Sequence, residues 1–394
     1  MTIKRKSLSP VDTAWLHMED QTNLMMVTMV SLLDGPIDYA RMRRTLEERL
    51  LTLDHFRMRI EDATVGVAHW VEDTNFDYDS HVHRLALPEP GDRAALEKLL
   101  GDLSSTQLDF GKPVWHMHLV ENVMGGSAVI FRFHHCLGDG TAMLGVMARL
   151  LDTEPDATFE LPSEPEPAPE PERSRLRSLF GPARSALSLS RKVAGTVFHE
   201  SIDGLLNPSH LRKYTDAASA SAGVLARSLL SPPDPQTPFK GKLGIQKHVA
   251  WSPRVDLAEV KALGRACDAK VNDVLVAAMA GALRHYLLQR GVDVTGMDIN
   301  AVIPVNLRPM ERALELGNEF GLVFLGLPMG VPDPLVRLAA VKQRMDDIKN
   351  SPEAVIFYGL LGIFGTTPQQ IEEQAVNIFG SKATMVFTNV PGPQ

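Results

Sequence analysis

The sequence predicts a mixed α/β protein of two domains, and three observations carry that prediction. At 394 residues the chain exceeds what one hydrophobic core usually organises. Both halves alternate strand-like and helix-like patterns in the same style. Between them, residues 160–172 read ELPSEPEPAPEPE, where alternating proline and glutamate exclude helix and sheet and leave an extended spacer. The expected division is residues 1–158, a connecting region 159–246, and a second domain 247–394.

Composition narrows the class before any motif is read. Apolar residues at 44% and charged residues at 22% are ordinary globular usage. A formal net charge of −8 argues against a nucleic-acid partner, which calls for basic surface to replace condensed counterions. Cys136 and Cys267 are the only cysteines, too few for a disulfide framework or a four-cysteine metal site, and they fit the reducing cytoplasm.

From the start of the chain, Lys4-Arg5-Lys6 runs straight into Ser7-Leu8-Ser9-Pro10, without the apolar stretch of a secretory signal. Residues 115–120 (WHMHLV) and 127–133 (SAVIFRF) predict two strands joined through the glycine-containing loop 122–126. His134 and His135 end the second strand. Met143, Leu144, Met147, Leu150 and Leu151 then share one helical face, so the run His134-His135-Cys136-Leu137-Gly138-Asp139-Gly140 occupies a strand-to-helix turn.

After the spacer, residues 173–192 contain six basic residues and no acidic one, with Leu176, Leu179, Phe180, Ala183 and Leu187 at helical spacing. Gly181-Pro182 predicts a kink or a fresh helix start. A basic amphipathic segment suits either an anionic membrane surface or a bridging helix packed on the core. In the second half the pattern predicts a helix over 272–288, strands over 299–305 and 321–327, helices near 335–348 and 367–378, and a last strand over 384–388. The apolar run 354–364 is far short of the ~20 residues needed to span a bilayer, and suggests a segment able to lie at a lipid interface.

The chemistry centres on the histidine pair. Neighbours on an extended segment point to opposite sides, so one histidine acts and the other supports. His135 is the expected general base: an imidazole with an unperturbed pKa near ~6.5 can take a hydroxyl proton at neutral pH. Asp139 is expected to anchor the turn, by capping the following helix or by pairing with Arg308. Gly138 and Gly140 permit a tight turn and close approach of substrate to backbone. Oxyanion donors are sought among the turn's amides, or in Asn272 and Thr388.

A histidine pair at a strand end is by itself more often a hydrogen-bonded core feature; the HHxxxDG spacing at such a turn is what favours catalysis. His116 and His118, two apart on one strand face, are a weak metal motif without an evident third and fourth ligand, so no metal is expected. Cys136 reads as a small buried hydrophobe rather than a nucleophile. No GxxxxGK[ST] loop and no GxGxxG after a strand supports nucleotide chemistry.

Several motifs in order make the chain resemble the wax ester synthase/acyl-CoA:diacylglycerol acyltransferase family, within the coenzyme A-dependent acyltransferase superfamily. They are Leu8-Ser9-Pro10-Val11-Asp12, Pro113-Val114-Trp115, HHCLGDG at 134–140, Val271-Asn272-Asp273-Val274, Pro304-Val305-Asn306-Leu307-Arg308, Gly317-Asn318, and Asn389-Val390-Pro391-Gly392-Pro393. HHxxxDG marks the superfamily, whereas Asn272-Asp273 and NVPGP carry the narrower assignment. Val114 and Thr388 stand where leucine and serine are usual.

The resemblance implies two chloramphenicol-acetyltransferase-like domains, each a mixed sheet flanked by helices, with the active-site channel between them. It implies His135 as catalytic base with His134, Asp139 and Gly140 around it. Gly138, Asn272, Asp273, Arg308, Trp115, Thr388 and Asn389 are expected in substrate binding or structural support. The implied substrates are acyl-CoA, as co-substrate with no further cofactor, and a fatty alcohol or diacylglycerol. A peripheral membrane or lipid-droplet surface and a homodimer are the implied associations. Relatives continue beyond the position of Gln394, so the second domain is expected to be truncated. The alternatives are a condensation-type transferase with a carrier-bound donor, and a non-catalytic lipid-droplet protein.

Overall fold

The computed structural model describes residues 4–63, 66–152, 231–309, 312 and 315–390. The proline-glutamate spacer, the basic segment 173–192 and Pro391-Gly392-Pro393 lie outside the described residues. In chain order the elements are β1 (Arg5–Ser7), α1 (Pro10–His17), β2 (Met26–Leu33), α2 (Tyr39–Thr45), β3 (Met58–Glu61), β4 (His69–Glu72), β5 (Val82–Ala86), α3 (Arg93–Ser104), β6 (Trp115–Val123), β7 (Gly126–His134) and α4 (Gly140–Leu150). The second half holds α5 (Leu257–Ala266), α6 (Val271–Gln289), β8 (Ile299–Asn306), β9 (Phe320–Leu327), α7 (Pro334–Lys349), α8 (Glu353–Phe364), α9 (Gln369–Ser381) and β10 (Met385–Val386).

Three sheets organise these elements. The largest runs β2-β7-β6-β5, with β6 and β7 forming the predicted antiparallel hairpin and β5 parallel to β6. Asn122 and Met124 take positive φ at the turn. A small antiparallel sheet orders β1-β4-β3, and the second half carries β10-β8-β9. The mixed α/β prediction is borne out, with a sheet flanked by helices in each half.

The first core lies on the face of β6 and β7 that carries Trp115, Met117, Phe131 and Phe133, closed by Phe56 and by Met143 and Val146 of α4. Trp115 is fully buried there, and its indole N–H donates to Phe56 O at 2.9 Å, so a large apolar ring enters without stranding its polar atom. The opposite face is covered as well: Leu96 and Leu100 of α3 pack on Val120, Ala128 and Ile130. This corrects the reading of β6 as a half-exposed strand, since His118 is 5% exposed. The alternation of histidine with apolar residues resembles a wet face, but α3 covers it.

The apolar run 354–364 is also more covered than its spacing suggests. It forms α8, whose Ala354, Ile356, Phe357, Leu361 and Phe364 are buried against β9 and α1. Gly321 and Gly365 allow this: a Cβ at Gly321 would fall 1.9 Å from Ala354 O, and one at Gly365 1.7 Å from Pro10 O. Part of this helix therefore packs against β9 and α1, while Val355, Leu360 and Ile363 stay partly exposed. The expected last strand is shorter, Met385–Val386, and ends before Thr388.

Residues 231–251 contact both halves of the chain. Asp234 accepts from the Asn300 backbone and side-chain N–H groups and from Thr384, tying residues near 234 to β8. Farther on, Lys247 N–H donates to Ser105 Oγ at 2.7 Å, and Trp251 lies under the Arg93 guanidinium on α3.

Candidate active site

Strand β7 ends at His134, and His135 opens a short 3-10 turn, His135–Leu137, before α4. The change of backbone at that point sends the two rings to different surroundings. His134 is fully buried; its Nδ1 accepts from Cys136 N–H at 3.1 Å, and its Nε2 lies 3.2 Å from the Glu19 carboxylate. With the Nδ1 lone pair engaged by the turn it caps, His134 is built in as a brace. Glu19, although burial opposes it, has its pKa lowered by His134, Met25 N–H and Gln107.

His135 is partly exposed and sits between two aromatic rings: Trp15 stacks on it at 4.4 Å between centroids and 14° between planes, and Phe320 leans in at 5.6 Å. Its backbone N–H donates to Met25 O at 2.7 Å, and its Nδ1 lies 3.0 Å from Asn318 Oδ1. Burial pushes its pKa below the ordinary histidine value, against the opposing pull of hydrogen bonds to its own backbone and to Asn318. The ring is therefore neutral at neutral pH, the form a general base needs.

Asp139 secures the turn on three sides. Its Oδ1 accepts from Ala142 N–H at 2.9 Å, capping α4; its Oδ2 accepts from Arg308 Nη2 at 2.9 Å and from Glu319 N–H at 3.1 Å. Arg308 also donates to Gly317 O at 2.6 Å and to Glu315 O. Both charged side chains are almost wholly buried, so each relies on the other for compensation. Gly138 and Gly317 form a backbone bridge, with Gly317 N–H to Leu137 O at 3.0 Å and Asp139 N–H to Gly317 O at 3.2 Å. A Cβ on Gly138 would meet Ala142 and Met143 at 3.0 and 3.1 Å, so only glycine fits without displacement.

The remaining expected residues divide into two groups. Asn389 Nδ2 donates to Asn272 Oδ1 at 2.6 Å, and Val390 lies over Gly140, where a Cβ would fall 3.0 Å from its Cγ2. The start of NVPGP thus stands at the N-terminus of α4 with Asn272 beside it. Asn272 does not cap α6: Lys270 does, its N–H donating to Asp273 Oδ2 at 2.8 Å. Thr388 is exposed, and Trp115 packs in the core among Phe56, Phe131 and His81, away from this cluster. The turn amides proposed as oxyanion donors are partly committed, Cys136 to His134, Gly138 to His135 O, and Asp139 to Gly317 O.

Cys136 is buried, and burial pushes its thiol pKa well up, away from nucleophilic use. Among the described residues no cluster of histidine, cysteine or acid is arranged to hold a metal. His83, His116 and His118 instead pack ring against ring at 5.0–6.1 Å. Two residues at the site received no role from sequence, Asn318 and Asp12. Each stood inside a quoted motif, but nothing in a linear pattern sets residue 12 against residue 318.

Residues 8–275 match the wax ester synthase/diacylglycerol acyltransferase catalytic domain, and residues 316–394 match the WS/DGAT C-terminal domain. The probable diacylglycerol O-acyltransferase tgs2 of Mycobacterium tuberculosis is 31% identical over 98% of this chain and 84% of its own length. The probable diacylglycerol O-acyltransferase tgs1 of the same organism is 27% identical, over 98% and 81%. Among solved structures, the wax ester synthase/diacylglycerol acyltransferase from Marinobacter aquaeolei VT8 superposes with a TM-score of 0.62 at 20% identity, over 99% of this chain and 83% of that one. The starter condensation domain of rhizomide synthetase RzmA, in complex with C8-CoA and Leu-SNAC, gives 0.53 at 15% identity, over 98% and 78%. These superpositions show a common fold.

Proposed function

Because the chain belongs to the wax ester synthase/diacylglycerol acyltransferase family, we propose that it transfers a long-chain acyl group from acyl-CoA to a fatty alcohol or diacylglycerol, with His135 as general base. The observation that carries the reading is the neutral, partly exposed imidazole of His135, fixed between Trp15 and Asn318 on a turn that Asp139 and Arg308 hold rigid. The acceptor hydroxyl gives its proton to the free ring nitrogen as its oxygen attacks the thioester carbonyl. The tetrahedral intermediate collapses, the carbon–sulfur bond breaks, and the imidazolium returns the proton to the departing thiolate. No acyl-enzyme forms, and no group beyond the two substrates is required.

The division of the chain into units 1–158 and 247–394 is part of this reading, the first supplying the base. No described helix is long and apolar enough to cross a membrane. We place the enzyme in the cytoplasm, meeting its lipid acceptors at a membrane or droplet surface, because both acceptors partition into lipid. A homodimer is not required by it, since one chain supplies every contact named above. A carrier-bound donor is the alternative that the fold alone leaves open, and nothing at the site favours it.

His135→Ala is expected to lower turnover of palmitoyl-CoA with hexadecanol or dioleoylglycerol by about 10²- to 10⁴-fold, with an unchanged melting temperature. Retained turnover would remove the base from the mechanism.

A further inference from the structure

Asn318 holds an unusual position among the residues around the base: one amide touches both the ring and the backbone of His135 and also a buried carboxylate. Its Nδ2 donates to Asp12 Oδ1 at 2.7 Å and to His135 O at 2.8 Å, and its backbone N–H donates to Asp12 Oδ1 at 3.0 Å. Both partners of Nδ2 are acceptors. The flipped amide would set a carbonyl oxygen against them, so the orientation is determined by its surroundings. Only Oδ1 is left to face the imidazole, at 3.0 Å from Nδ1. An oxygen that can only accept requires a nitrogen that donates, so the proton sits on Nδ1 and the lone pair on Nε2.

Asp12 is in turn held as an acceptor. It is 6% exposed, and Ser9 Oγ–H donates to its Oδ2 at 2.7 Å while both Asn318 N–H groups donate to Oδ1. Burial pushes its pKa up and these hydrogen bonds oppose that shift. Every neighbour at hydrogen-bond distance is a donor, which suits the carboxylate. Ser9 itself caps α1, so the carboxylate is tied to the start of a helix.

We infer that Asp12 and Asn318 are positioning residues that hold His135 in the Nδ1–H tautomer and stabilise its imidazolium as the alcohol proton arrives. The inference rests on His135 being the base. The Nδ1–H···Oδ1 bond strengthens when the ring becomes cationic, and the Asp12 charge, one amide away, favours that cation. The stacked face of Trp15 acts in the same direction. The arrangement is a histidine-amide-carboxylate series assembled across the two halves, with residue 12 and residue 135 from one and residue 318 from the other.

The test compares the full-length wild type with Asn318→Ala, Asn318→Asp, Asp12→Asn and His135→Ala, by kcat, KM and the pH profile of kcat, together with ¹⁵N NMR of the histidine rings. Expected for Asn318→Ala is a fall in kcat of about 10²- to 10⁴-fold, the scale seen when a catalytic histidine loses its tautomer partner, with KM changed less than threefold. In that variant Nδ1–H keeps only the backbone carbonyl of His135 as acceptor, so a minor Nε2–H tautomer is expected to appear. Asn318→Asp sets a second carboxyl oxygen against Asp12 Oδ1 and His135 O, so the two acids share a proton and kcat is expected to fall as in Asn318→Ala. Asp12→Asn is expected to lower kcat while moving that limb to lower pH.

Wild-type kcat together with a single Nδ1–H tautomer in Asn318→Ala would overturn the inference while leaving the base in place. Activity retained by His135→Ala would instead remove the reading beneath it. If Asn318→Ala does not fold, Asp12→Asn decides, and an unshifted acid limb in it overturns the inference.

Discussion

Taking away Arg308 leaves Asp139 a buried charge with no cation beside it, and taking away Asp139 leaves Arg308 with only the Glu319 carboxylate, 3.9 Å away. Arg308→Ala and Asp139→Ala are each expected to cost about 3–5 kcal/mol, read from urea midpoints, and to abolish turnover. Arg308→Lys keeps the charge but loses the planar fork that reaches Asp139, Glu315 and Gly317 together, and is expected to recover only part of the stability. This pair was legible from sequence because a carboxylate fixed in a tight turn seeks a cation, and Arg308 stood in a motif of its own. Asn318 and Asp12 were not legible as partners. An asparagine has no charge to balance, and its role exists only once the chain sets it between residues 12 and 135.

At the scale of elements, the turn that carries His135 belongs to two segments at once, the end of β7 and the stretch leading into β9. Gly317 joins them at φ 102°, in the left-handed region where a side chain is strained. Gly317→Ala is expected to cost about 1–3 kcal/mol and to lower kcat more than that loss of stability explains, because Asn318 moves with it. Melting curves and steady-state kinetics on the same preparation check the two together. The hairpin, α4, α6, β8 and β9 were readable because their periodicity is strong and their turns carry glycine or a capping residue. Helix α8 and strand β6 are more covered than their spacing suggests, for one physical reason. Periodicity reports how apolar residues are spaced, but not what will cover them, and α1 with β9 in one case and α3 in the other supply that cover.

For the whole molecule, buried histidines set opposing responses to pH. Burial lowers His116 to about 4 and His118 to about 3, and lowers His83, from the ordinary value of 6.5. The folded chain then binds fewer protons than the unfolded chain, so stability is present above pH ~6.5 and is lost as the pH falls toward these folded values, by up to about 1.4 kcal/mol per unit per group. His17 behaves in the reverse sense. The Glu372 carboxylate, aided by Asp62 and opposed by burial, raises it to about 9, so its contribution is complete below 6.5 and lost as pH rises through 9. Stability measured by urea unfolding is expected to peak near pH ~6.5; His118→Leu should flatten the acid side and His17→Gln the alkaline side. His17 sits on α1 and Glu372 on α9, so the alkaline limb also reports the grip of one half on the other. The bridge between Gly138 and Gly317 gives that grip an enzymatic signature. Two polypeptides ending at residue 152 and beginning at residue 231 would each lack what the other holds, the imidazole in one and the amide that orients it in the other. Ester formation on mixing them would count reassembled molecules, which makes this family a natural source of split-enzyme reporters.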